Sequence, residues 1–85
     1  MPHFANPAFW AAYCRLPPDV RKLADRCYGL LKVDPRHPSL HLKRVGRFWS
    51  VRAGSTHRAL GVEAPDGIVW IWIGTHEHYN RIIRS

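Results

Sequence analysis

The sequence has few acidic residues. Six Asp and Glu stand against thirteen Lys and Arg among its 85 residues, which gives a formal net charge of +7 when histidine is neutral. Such a chain attracts an acidic partner. Phosphate backbones are the commonest such surface, because each neutralised phosphate releases counterions, and an acidic protein would be attracted equally. The alternative is a basic surface that serves only solubility.

Cysteine and long apolar runs are also scarce. Cys14 and Cys27 are the only cysteines, without a CxxC pair or a close Cys/His pair, so a metal site built on them is not expected. Without an export signal, two cysteines are more often reduced core residues than a disulfide. No stretch approaches the roughly 20 apolar residues that span a bilayer, and MPHFANPAF lacks the layout of a secretion signal. We therefore expect a cytoplasmic protein with no membrane partner.

Aromatic and aliphatic residues are well represented. The chain is 46% hydrophobic and contains four Trp, three Tyr and three Phe, a composition typical of a folded protein rather than a disordered one. Its length suits one domain, residues 1–85, with a modest core.

Two helices are predicted in the N-terminal part of the chain. The first begins at Pro7, and the residues that could form its buried stripe are Ala8, Trp10, Ala11, Tyr13 and Cys14. Pro17 and Pro18 end it, and Pro18 with Asp19 suits the start of a second helix. The apolar residues of this second helix recur at spacings of three and four: Val20, Leu23, Ala24, Cys27, Leu30 and Leu31. DPRHP then ends it.

Strand patterns dominate the second half of the chain. We expect strands near 48–53, 57–63 and 68–74, joined by GST and by the turn APDG. Such short connections require antiparallel neighbours. A short helix over 76–84 completes an α+β fold in which two N-terminal helices pack on an antiparallel β-meander.

The loop lengths predict which residues face each other in the second hairpin. If APDG is a four-residue loop, Gly61 faces Trp70 and Ala59 faces Trp72. The smallest strand residues then lie opposite the largest, which supports the pairing.

In the first hairpin, the three-residue loop GST places Arg52 directly opposite Arg58. Like charges on neighbouring strands are destabilising unless an anion lies between them, so the pair suggests a phosphate site. The alternative is that each guanidinium lies in water with its stem over Phe48 or Leu60.

His76 is the strongest candidate for chemistry. Thr75 is a good N-cap and Glu77 a good first-turn residue, so His76 should lie at the start of the last helix, where backbone N–H groups attract anions. Tyr79 shares its face, and imidazole suits proton transfer to an oxygen. His76 could instead bond to a loop carbonyl. A zinc site with His78 is disfavoured, because no spacing here matches a zinc pattern.

The run PRHPSLHLKRVGRFWSVRAGSTHRALGV, followed by IVWIWIGTHEHYNRII, resembles the RelE/ParE toxin superfamily of bacterial toxin–antitoxin modules. The resemblance covers about residues 13 to 83. It implies a RelE-like fold and a toxin that cleaves mRNA at the ribosomal A site without a metal or another cofactor. It also implies a cognate acidic antitoxin as partner. The alternatives are a ParE-like poison of DNA gyrase and an inactive homologue that only binds antitoxin.

The resemblance also implies roles for particular residues. Arg58 and Arg52 would hold phosphate, His76 would transfer the proton, and Tyr79 would stack on a base or assist. The basic residues implied in RNA binding are Lys43, Arg44, Arg47 and Arg81.

The sequence departs from the family pattern at three places. A lysine position on the first meander strand is Ser50 or Trp49 here, and the usual Tyr before the second Arg is His57. A first strand ahead of the helices has only residues 1–4 available, so none is expected.

Overall fold

The computed structural model describes residues 2–84 and shows an α+β fold with two layers of helix around one sheet. The helices are α1 (Pro7–Cys14), α2 (Pro18–Val33) and α3 (His76–Arg84). The strands are β1 (His3–Ala5), β2 (Lys43–Val45), β3 (Phe48–Arg52), β4 (His57–Ala64) and β5 (Gly67–Thr75). The sheet order is β1-β5-β4-β3-β2. The predicted fold class and the three predicted helices are confirmed.

The helix α1 begins as predicted but buries a different side. Asn6 caps it, since its side-chain oxygen accepts a hydrogen bond from the backbone N–H of Phe9 at 2.9 Å. Trp10 and Cys14 are exposed, whereas Phe9, Ala12 and Tyr13 pack on the core. The predicted stripe is wrong because nearly every residue of α1 is apolar, so spacing alone does not select a face.

The helix α2 follows its predicted periodicity. Ala24 and Leu31 are buried, and Val20, Cys27 and Leu30 are partly buried against the same core. Neither cysteine forms a disulfide, and Cys14 is exposed rather than a core residue.

The main core lies between α1, α2 and one face of the sheet. Val51, Ala59 and Ile73 are register partners across β3, β4 and β5, and all three are buried there with Trp70. Side chains alternate between the two faces of a sheet. Leu60 therefore points to the opposite face, which α3 covers.

The sheet contains two strands that the sequence did not predict, β1 and β2. Strand β2 pairs antiparallel to β3. Strand β1 pairs parallel to β5, with His3 opposite Ile68 and Ala5 opposite Trp70. The sheet is therefore mixed rather than purely antiparallel. Three residues are too few for an alternating pattern to reveal a strand, and the partner of β1 lies more than 60 residues away in the chain.

A β-bulge corrects part of the predicted second hairpin. Gly61 faces Trp70 as predicted, but the next partners are Leu60 with Trp72 and Ala59 with Ile73. The bulge adds one residue to β5. Every later residue of β5 therefore points to the face of the sheet opposite to the one expected for a regular strand. Trp72 is therefore turned away from the core and towards α3.

Candidate active site

The arginine pair lies at one end of the sheet, on the face that α3 covers. Arg52, the last residue of β3, is the register partner of Arg58 on β4, as predicted. Burial lowers the pKa of Arg58, and the positive charge of Arg52 lowers it further. The two guanidinium groups therefore share one electrostatic environment.

Neither arginine of this pair has a carboxylate partner within residues 2–84. Arg58 donates from Nη1 to the carbonyl oxygens of His57 at 2.8 Å and Gly54 at 3.3 Å, which holds its side chain against the hairpin. Nε of Arg52 is buried without a hydrogen-bond partner in the same part of the chain. A buried cationic donor without an acceptor favours an anion.

The start of α3 brings an imidazole to this end of the sheet. The hydroxyl of Thr75 accepts a hydrogen bond from the backbone N–H of His78 at 3.2 Å, so Thr75 caps the helix as predicted. The N–H of His76 donates to the carbonyl of Thr56 at 2.8 Å, which ties α3 to the loop between β3 and β4. His76 itself is exposed.

Tyr79 connects the imidazole with the arginines. Its ring stacks on that of His76 with centroids 6.0 Å apart and planes 18° from parallel. Tyr79 is only 5% exposed, and it lies close enough to Arg58 to act on the pKa of that guanidinium. Arg52, Arg58, Tyr79 and His76 therefore all lie at the end of the sheet where β5 leads into α3, and we call this group the Arg–His cluster.

The sequence reading missed a second aromatic contact beside this cluster. The ring of Trp72 meets that of His78 edge to face, with centroids 5.3 Å apart. The predicted pairing of the second hairpin places Trp72 opposite Ala59, on the same face of the sheet as Trp70. No feature of the sequence marks the bulge that reverses it.

The other predicted RNA-binding residues are spread over the molecule. Lys43 is opposite Ser50, two residues from Arg52 on the same face, so it extends the basic row. Arg47 lies over the ring of Phe48 at 5.1 Å, beyond the far end of β3 and about 17 Å along the chain direction from Arg52. Arg81 is exposed on α3.

Arg44 is separate from the Arg–His cluster. It lies over the ring of Trp49 at 5.5 Å and pairs with Glu63 at 3.4 Å. Trp49 packs on the α1/α2 side of the sheet, so Arg44 extends towards the face opposite Arg52.

Neither a metal centre nor a membrane helix is found in residues 2–84. No group of three His, Cys, Asp or Glu side chains there is positioned to hold a metal ion. None of the helices in that range is long and apolar enough to cross a bilayer.

Known structures share this fold. The RelB–RelE antitoxin–toxin complex from Methanococcus jannaschii matches with a TM-score of 0.71 and 12% identity, over 93% of this chain and 96% of that one. The isolated E. coli RelE toxin matches with a TM-score of 0.61 and 14% identity, over 96% and 94% of the two chains. No family model and no curated protein matches the sequence.

The molecule is thus a small α+β protein with a basic cluster at one end of a five-stranded sheet. Its fold is that of the RelE toxins, as the sequence motifs predicted.

Proposed function

We propose that this protein is the toxin of a type II toxin–antitoxin system and that it cleaves mRNA on the ribosome. The RelE fold and the sequence motifs support the toxin assignment. The observation that carries the nuclease assignment is the Arg–His cluster, in which two arginines without carboxylate partners and an imidazole lie at the same end of the sheet. The proposed target places its action in the cytoplasm.

The proposed reaction is an attack within the RNA strand. The 2′-hydroxyl of one nucleotide loses its proton and attacks the adjacent phosphorus, and the bond to the 5′-oxygen of the next nucleotide breaks as that oxygen gains a proton. Charge accumulates on the phosphate oxygens in the transition state, and Arg52 and Arg58 would stabilise it. His76 would transfer a proton at one of the two oxygens.

Tyr79 has a supporting part in this proposal. Because it is 5% exposed, its ring has little surface to offer to a base. Its stacking on His76 would instead hold the imidazole in a fixed orientation. We therefore assign Tyr79 as a positioning residue.

The proposed protein partner is a short acidic antitoxin. The M. jannaschii RelE was crystallised with its RelB antitoxin, and the net charge of +7 on this chain favours a partner of the opposite sign.

Primer extension on a translated message tests the nuclease. Induction of the protein should give cuts in phase with codons, and His76→Ala should lose most of the cutting, by about 100-fold or more. Glu77→Ala is the matched control, because this exposed neighbour in the same helical turn lies outside the cluster. Both variants should still bind the acidic protein encoded beside the gene.

The same induction separates the other candidate functions. Intact messages with DNA breaks at gyrase sites would establish the ParE-like activity instead. Intact messages, intact DNA and retained antitoxin binding would show an inactive homologue.

A further inference from the structure

A second basic cleft lies on the α1/α2 side of the sheet. It is bounded by β1, by the segment that joins α2 to β2, and by the first residues of β3 and β5. The polar and aromatic residues that line it are His3, Arg36, His37, His41 and Trp49. Arg52 and His76 lie at the other ends of β3 and β5, so this His–Arg cleft is separate from the Arg–His cluster. Its volume of about 560 Å³ is that of a small-molecule site.

Hydrogen bonds fix the tautomers of two imidazoles in the cleft. Trp70 donates its indole N–H to Nδ1 of His3 at 3.2 Å, and the backbone N–H of Ser39 donates to Nδ1 of His37 at 3.2 Å. An indole or backbone N–H can only donate, so each Nδ1 is the acceptor. In the neutral ring the proton is then on Nε2, and both His3 and His37 retain an N–H donor.

Two further donors belong to residues that line the same cleft. The indole N–H of Trp49 is buried and has no acceptor within residues 2–84, a state that costs free energy unless a partner is supplied. Arg36 is exposed and brings a guanidinium with five N–H groups. Over the same described range, no carboxylate lines the cleft. The lining is therefore rich in donors.

The backbone at the mouth of the cleft is unusual as well. His41 has φ of +49°, a left-handed conformation that is uncommon for a residue other than glycine. Such conformations persist where surrounding structure holds them and are frequent at ligand sites. The remaining lining residues are apolar: Pro35, Pro38, Leu42 and Ile68.

We propose that the His–Arg cleft binds the phosphate group of a nucleotide. Several donors around one space match a phosphate, whose three or more acceptor oxygens exceed the two of a carboxylate. The apolar part of the lining, with the ring of Trp49, accommodates the organic part of the ligand. The nucleotide can be free, or it can be the phosphorylated end of an RNA strand. This inference does not depend on the proposed nuclease activity.

A nuclear magnetic resonance titration of the full chain tests the cleft. The probes are inorganic phosphate, adenosine monophosphate and a short RNA with or without a 5′-phosphate. The readout is the indole N–H resonance of Trp49, assigned with Trp49→Phe. We expect a saturable shift, and a loss of affinity of about tenfold in Arg36→Ala, which removes one charged hydrogen-bonding group.

A matched variant separates the cleft from general charge effects. Lys22→Ala removes an equal charge from the exposed side of α2. It should bind the probes in the cleft as the unaltered protein does. Tighter binding of the monophosphate would identify a free nucleotide, and tighter binding of 5′-phosphorylated RNA would identify a strand end.

The proposal is overturned by any of three results. These are no saturable shift of Trp49 with any probe, equal losses in Lys22→Ala and Arg36→Ala, or an equal response to acetate. The titration reports binding at Trp49 and not RNA cleavage, so a failure here leaves the nuclease proposal untouched, and the reverse holds as well.

Discussion

At the residue scale, the arginine pair opposes the stability of the fold. Like charges on directly opposite strand residues are destabilising, and burial of Arg58 adds a desolvation cost. Such a pair favours the binding of an anion. The anion would screen the repulsion between Arg52 and Arg58 and would supply a hydrogen-bond acceptor for Nε of Arg52.

Arg52→Gln should separate stability from function. We expect the free energy of unfolding to stay the same or rise by a few tenths of a kcal/mol, since the repulsion between the strands is removed. RNA cleavage should fall by at least about tenfold, the loss expected when one charged contact to the transition state is removed. Urea denaturation and primer extension measure the two effects. A clear loss of stability would show that Arg52 serves the fold.

His3 makes the stability depend on pH. Burial lowers the pKa of His3 from its ordinary value of 6.5, so the unfolded chain binds this proton more readily than the folded one. The contribution of His3 is complete above pH 6.5 and is lost as the pH falls from there through the lowered pKa of the folded state. Protonation also removes the acceptor that Trp70 uses.

A comparison with His3→Gln isolates this effect. The two proteins differ only at residue 3, so a difference in the pH dependence of the unfolding free energy belongs to His3. We expect the unaltered protein to lose more stability between pH 7 and pH 5 than the variant does. Equal slopes in urea denaturation at each pH would contradict the assignment.

At the element scale, β5 and α3 act together. The bulge in β5 turns Trp72 towards α3, and the cap on Thr75 starts the helix where β5 ends. Within five residues of the last core residue of β5, Ile73, the chain thus presents His76 and His78 on an anchored helix. A strand buried on both faces is a rigid support for such side chains.

Thr75→Ala should weaken α3 and the function that it carries. Loss of the capping oxygen is expected to cost about 1 kcal/mol in the free energy of unfolding, measured by urea denaturation. Because α3 carries His76 and Tyr79, cleavage should also decrease. Thr75→Ser retains the oxygen and should behave as the unaltered protein. A loss of stability in the serine variant would show that the methyl group of Thr75, rather than its capping oxygen, stabilises α3.

At the scale of the whole molecule, charge dominates the expected association with RNA. A net charge of +7 and a row formed by Lys43, Arg52 and Arg58 predict binding that weakens steeply with salt. The whole chain thus contributes to the net charge and to the fold. The proposed cleavage chemistry, by contrast, depends on residues at one end of the sheet.

The salt dependence of the affinity for RNA measures the number of phosphate contacts. Lys43→Ala should lower the slope of log affinity against log salt by about 0.7, the value for one contact to single-stranded RNA. Lys22→Ala, on the outer side of α2, should leave the slope unchanged. Fluorescence anisotropy with a short labelled RNA measures both. An unchanged slope in Lys43→Ala would show that Lys43 does not contact the RNA backbone.

Much of the fold could be predicted because its signals are local. The apolar spacing of α2, the prolines at its start and the Thr75 cap depend on residues a few positions apart. The same holds for the pairing of Arg52 with Arg58, which a three-residue loop sets. Of the candidate site, the sequence supplied the members of the Arg–His cluster, and the structure supplied the stacking that joins Tyr79 to His76.

Tertiary structure alone decided the features that join distant parts of the chain. The pairing of β1 with β5, the bulge that reverses Trp72 and the placement of Arg44 on the other face are examples. So is the His–Arg cleft, which gathers residues from four separate segments. The sequence by itself determined the helices, the meander and one arginine pair, because backbone propensity and loop length act over short separations. The rest depended on packing between segments that no local spacing encodes.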